Sequence, residues 1–121
     1  MSKLFLGMPI YRDWPAQNAR LVMETMLIAQ RSGIDVELLI RCGESLITRG
    51  RDQICHEFLS KAKDPLDVLL WIDSDIVFDP ELPFHVANLA SEKNAMVGCA
   101  YPAKSIEWDN VVAAVKAGKD P

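Results

Sequence analysis

The segment DVLLWIDSDIVF, Asp67 to Phe78, carries five consecutive apolar residues, Val68 to Ile72, before its second acid. Successive side chains of a β-strand point to opposite faces, so such a run is apolar on both sides and needs cover on both. That is the demand of a parallel strand with helices above and below it, not of a half-exposed antiparallel hairpin. The remainder of the chain supplies the helices. Lys3 to Ile10, KLFLGMPI, reads as a buried strand closed by Pro9. Pro15 then opens a helical stretch in which Ala19, Val22, Met23, Met26 and Gln30 recur at three- and four-residue spacing, with Leu27 beside them and Gly33 as the stop. Ile34 to Arg41 is a second strand, followed by a loop, CGESLIT. Thr48 is placed to cap a second helix to about Ala62, with Ile54, Phe58, Leu59 and Ala62 on one face. After the central strand, Asp79, Pro80 and Glu81 form a helix start, leading to about Glu92. NAMVGCAY, from Asn94, reads as a fourth strand, and Asp109 to Ala117 as a last helix. The order β-α-β-α-β-α-β-α predicts one α/β domain over residues 1–121, an open, mostly parallel sheet with the Asp67 segment in its middle.

Composition narrows the function. Thirteen Lys and Arg against seventeen Asp and Glu give a formal net charge of −4, which disfavours a general nucleic-acid binder. No segment approaches the roughly 18 apolar residues of a membrane span, and the N-terminal run is too short and too soon interrupted for a signal peptide. The cysteines, Cys42, Cys55 and Cys99, are odd in number and far apart, and are expected to be buried thiols in a reducing cytoplasm. Charge is divided along the chain. All six arginines precede Asp52, whereas the segment from Asp64 to Glu92 holds seven acids and no Lys or Arg.

Asp73 and Asp75 end the central apolar run. As alternate residues of a strand they share a face, roughly 6 to 7 Å apart, at the carboxyl end of the sheet where open α/β folds take their ligands. Two carboxylates so close repel unless a proton or a cation joins them. Mg²⁺ or Mn²⁺, which takes few protein carboxylates and completes its shell with water and phosphate oxygens, answers that need. A P-loop nucleotidase would need G-x-x-x-x-G-K-[ST], and the chain has no such run. A haloacid-dehalogenase-type phosphatase is an alternative: DSDIV fits its D-x-D-x-[TV] pattern, with one Asp as nucleophile and the other as acid/base. In that family, however, the motif usually ends the first strand; here it ends the third, with 46 residues remaining after Asp75.

Four segments in order, FLGMPIY, TRGRDQICHEFL, VLLWIDSDIVFDPEL and VGCAYPAKSIEW, resemble GT-A-fold glycosyltransferases, and among them the small stand-alone enzymes of large DNA viruses and bacteriophages. The resemblance covers most of the chain. It implies a metal-dependent transferase using a nucleotide diphosphate sugar of UDP or GDP type, with Mn²⁺ or Mg²⁺, and a saccharide or glycoconjugate acceptor. Pro9 and Tyr11 would line the nucleoside pocket. Arg51 would contact the nucleotide, and Asp52 stands where relatives more commonly have Asn. Arg49 would face the diphosphate. Asp73 would approach the ribose or the metal's water shell and Asp75 would ligate the metal, so the two acids form the metal site, with Ser74 hydrogen-bonding the ligand. Lys104 would meet a phosphate or the donor sugar, with Tyr101 close to it in AYPAK. Trp71 is assigned to the core, and His56 and His85 to no site. Relatives continue past the YPxK segment, so the chain is expected to be the nucleotide-binding half, lacking the acceptor-binding half, and to form a homodimer that covers an exposed sheet edge. A nucleotide- and metal-binding module without turnover is the other alternative.

Overall fold

Every side chain from Leu4 to Ile10 is buried, the pattern of a strand enclosed on both faces and both edges. The computed structural model describes residues 1–43, 47–100 and 108–118, with Ile47 by its backbone alone. In chain order its elements are β1 (Lys3–Ile10), α1 (Ala16–Ser32), β2 (Asp35–Cys42), α2 (Ile47–Lys61), β3 (Val68–Trp71), α3 (Leu82–Lys93) and α4 (Trp108–Lys116). Among the described residues the sheet is parallel and three-stranded, in the order β2-β1-β3. An α/β fold with a small open sheet is therefore present, but its centre is β1. The Asp67 segment, expected in the middle, contributes only a four-residue strand at the edge. Residues 94–100, read as a fourth strand, pair with nothing in the sheet; Tyr101 lies outside the described residues.

Alternation along β1 divides the core. Leu4, Leu6 and Met8 pack with Val22 and Ala29 of α1 and with Phe84 and Ala87 of α3. Phe5 points the other way, to Leu39 and to Ile54 and Phe58 of α2, and its ring meets that of Phe58 edge-on at 5.2 Å and 78°. Gly7 also lies on the α2 side. A Cβ there would stand 3.0 Å from Ile54 Cγ2, 3.1 Å from Trp71 Cε3 and 3.2 Å from Leu69 Cδ1, so its bare Cα lets α2 and the Trp71 ring close on the sheet.

Helix α1 ends as expected, on Gly33 at φ 70°, with the Ile34 N–H bonded to the Ala29 carbonyl at 2.9 Å. Its buried face differs from the expected one. Asn18, Leu21, Val22, Thr25 and Ala29 are inside, while Met23 is 64% and Leu27 49% exposed. Two polar residues thus occupy the inward stripe, and both are hydrogen-bonded there. On α2, Leu59 is 74% exposed rather than part of the buried face, and Thr48 lies within the helix rather than capping it. Asp79 shapes a turn, its carboxylate accepting from the Glu81 N–H at 2.9 Å and its carbonyl from the Leu82 N–H at 2.9 Å, and α3 begins after that turn. Helix α4 buries none of its side chains. Cys42 and Cys99 are exposed, against the expectation of buried thiols, and Cys55 is half-buried.

A chain of ion pairs crosses the α2 side. Lys3 and Lys61 both reach Glu37, at 3.2 and 2.6 Å, and Lys61 and Arg41 both reach Glu57, the Lys61 contact at 3.0 Å. The hydrogen bond from Lys61 is the main influence holding both glutamates below the usual carboxylate range, and those two carboxylates in turn hold Lys61 above the usual ammonium value. A carboxylate depressed in the folded state stabilises it above the unfolded value, about 4.3, and that contribution is lost as pH falls through the lower folded value. The urea midpoint is accordingly expected to hold between about pH 7 and 5 and to fall below about pH 4.5. In Glu37→Gln the acid limb should be shallower, and an unchanged limb would remove this network as its cause.

Candidate functional site

Parallel strands all point their carboxyl ends the same way, so three loops meet at one edge of the sheet. Pro9 is buried at the end of β1, and Tyr11 follows it, 38% exposed. The Ile10 carbonyl accepts from the Gly43 N–H at 3.0 Å, which holds the exit of β2 against that of β1. The Ile72 N–H donates to the Gly7 carbonyl at 3.0 Å, one residue beyond the last paired residue of β3. Asp73 leaves the sheet one residue later, level in register with Pro9.

Asp73, Ser74 and Asp75 do not continue the strand. Their backbone turns, with the Ile76 N–H 3.4 Å from the Asp73 carbonyl. The two carboxylates therefore belong to one tight turn at the sheet edge, and strand alternation does not set their directions. Helix α1 contacts this turn. The Asn18 side chain, 1% exposed, sends its Nδ2 to the Ile76 carbonyl at 2.7 Å and to the Asp73 carbonyl at 3.3 Å. Its Oδ1 accepts from Trp14 Nε1 at 2.8 Å. Two turns along α1, the Thr25 hydroxyl lies 2.9 Å from the Pro80 carbonyl and 3.0 Å from that of Leu21. The loop from Asp73 to Pro80 is thereby fastened to one helix at both ends.

Arg51, on the second turn of α2, reaches across to this turn. Its Nη2 donates to Asp73 Oδ1 at 3.1 Å, and its guanidinium carbon lies 4.9 Å from the centre of the Trp71 ring. A guanidinium over an indole face is attracted by the ring quadrupole and fixed in plane. Trp71, assigned to the core from sequence, does pack half-buried against the cluster of Phe5, Leu39 and Ile54, and it also lies under the Arg51 guanidinium. The structure thus brings Arg51 and Asp73 together. Asp52, next along α2, instead lines a separate shallow depression with Arg41, Arg49, His56 and Glu57. Ser74 is half-buried and Asp75 exposed. Lys104 and Tyr101 lie outside the described residues. Arg51, Trp71 and Asp73 also line a groove together with apolar side chains of β3 and α3 and with Asn94 to Cys99.

The donor set limits which cation this turn suits. Among the described residues, no three His, Cys, Asp or Glu side chains converge as a metal-binding group. Two carboxylates in one turn are too few for a closed protein cage, and a Mg²⁺ or Mn²⁺ ion there would keep most of its shell as water and phosphate oxygen. No described helix is long and apolar enough to cross a membrane. Comparison with protein-family models, with curated proteins and with solved structures finds no match to this chain.

Asn18 and Trp14 were not singled out from the sequence, nor was the contact of Trp71 with Arg51. A signal for Asn18 existed: with Val22, Thr25 and Ala29 it repeats at helical spacing, and polar residues on such a stripe need buried partners.

Proposed function

We propose that this chain binds a nucleotide diphosphate sugar together with Mn²⁺ or Mg²⁺ at the carboxyl edge of its sheet, as the donor-binding part of a metal-dependent glycosyltransferase. One observation carries the reading: Arg51, its guanidinium carbon 4.9 Å over the Trp71 ring, is held against Asp73 in the turn that also contains Asp75. A permanent cation and two carboxylates at the ligand-binding edge suit a diphosphate bridged to a divalent ion. When bound, that ion would offset the negative charge that builds on the departing nucleotide diphosphate.

The chain's own residues divide the remaining work. The guanidinium has five N–H donors, more than its contact with Asp73 requires, and its planar fork suits phosphate oxygens. The Tyr11 ring, 38% exposed just after β1, would stack on a base, with Pro9 lining the same pocket. Asp73 and Asp75 supply the carboxylate oxygens for the cation, and Ser74 a hydroxyl between them. Lys104 retains the phosphate or sugar contact that the resemblance gives it, and the sugar acceptor is a saccharide or glycoconjugate.

Turnover of a panel of UDP- and GDP-sugars with Mn²⁺, by the native chain and by Asp75→Ala, tests the reading. Release of nucleotide diphosphate that disappears in the variant supports a transferase. Nucleotide binding without release supports a binding module. Release of phosphate from simple monoesters, lost in Asp73→Asn, would replace the transferase reading with the phosphatase one.

A further inference from the structure

We infer that Asn18 is a positioning residue of the site: through its amide, oriented by Trp14, it sets the shape of the Asp73–Ile76 turn and so where Asp73 and Asp75 present their oxygens. The inference rests on the proposed use of that turn for a cation and a diphosphate.

Asn18 is almost wholly buried in the first turn of α1, 55 residues from Asp73 in sequence. Burying a primary amide is costly unless its hydrogen-bonding groups are satisfied. Here they are satisfied by the turn. An indole N–H can only donate, so the atom facing Trp14 Nε1 at 2.8 Å must be the amide oxygen. The NH₂ group then faces the carbonyls of Asp73 and Ile76, the first and last residues of the turn. Both ends of the turn are thus tied to one side chain, and Ser74 and Asp75 span the interval between the ties. The turn's own bond, from the Ile76 N–H to the Asp73 carbonyl, is long at 3.4 Å. A bond of that length fixes a turn poorly by itself, and the amide adds a short bond to the Ile76 carbonyl, at 2.7 Å, beside the Arg51 contact that holds the Asp73 side chain. An aliphatic residue at position 18 would fill the space but leave two carbonyls and an indole N–H without it. Groups that orient ligating residues in this way typically change metal affinity by about 10- to 100-fold when removed.

The test combines backbone ¹⁵N relaxation of Ser74, Asp75 and Ile76 with calorimetric titration of UDP in MnCl₂, on the native chain, Asn18→Ala and Trp14→Phe. In Asn18→Ala the order parameters of the three turn amides are expected to fall from about 0.85 to below about 0.6, while those of β1 stay unchanged. Affinity for UDP with Mn²⁺ should fall by about 10- to 100-fold. Trp14→Phe keeps the amide but releases its orientation, and should move both readouts in the same direction by less. If Asn18→Ala does not fold, Trp14→Phe decides by the same criteria. Unchanged turn order, or an equal loss of order in β1, overturns the inference, as does unchanged affinity in a chain whose turn has loosened. If the native chain binds no UDP with Mn²⁺, the proposed function falls, and the relaxation data alone decide whether Asn18 holds the turn.

Discussion

Replacing Asp73 by alanine is expected to weaken Mn²⁺-dependent UDP binding by about two orders of magnitude while leaving the stability of the fold nearly unchanged. The two halves of that result have separate causes. Asp73 holds Arg51 and, in the proposed site, would give carboxylate oxygens to the cation, so its loss would remove that contact and free the guanidinium from its place. The pair is nevertheless half-exposed, with the Arg51 and Asp73 side chains 36% and 39% accessible, and such pairs contribute about 0–1 kcal/mol to folding. Urea denaturation and calorimetry on the same variant separate the two effects. A large loss of stability with unaltered binding would make the aspartate a structural residue.

The second large effect concerns the core. Phe5→Ala is expected to destabilise the chain by about 3–5 kcal/mol, a large part of the roughly 5–15 kcal/mol that holds a domain of this size together. Phe5 is fully buried, touches Leu39 and Ile54, and meets the Phe58 ring edge-on. It fills the space between β1 and α2, so truncation leaves a cavity that a paired strand cannot move to close. The consequence extends to the site because α2 carries Arg51. A urea midpoint lowered by less than the equivalent of about 1 kcal/mol would mean that α2 does not rest on β1 through this ring.

Much of the element order was legible because it rests on local chemistry. The β1 run, the α1 stop at Gly33, the second strand and the last helix follow from apolar spacing and from one residue with a left-handed backbone. What failed was decided by tertiary partners. The stripe of α1 was misread because Asn18 and Thr25 are polar, and only the carbonyls of a distant loop make their burial favourable. The centre of the sheet was misassigned because Val68 to Ile72 is as apolar as a central strand, while β1 has partners on both sides. At the site, the sequence singled out Arg51 and Asp73, which meet, but it set Asp73 and Asp75 on a strand where the chain turns. The Trp71 platform was hidden because a tryptophan in an apolar run reads as core, and what distinguishes it is a guanidinium brought from another helix.

Arg51 and the carboxylate turn, taken as a cation and diphosphate site, are tested most directly by calorimetric titration of UDP with and without Mn²⁺, on the native chain and on Asp75→Ala. Binding that requires Mn²⁺ and is lost in the variant is expected. Absence of nucleotide binding under every condition, or binding indifferent to both Mn²⁺ and Asp75, would contradict it.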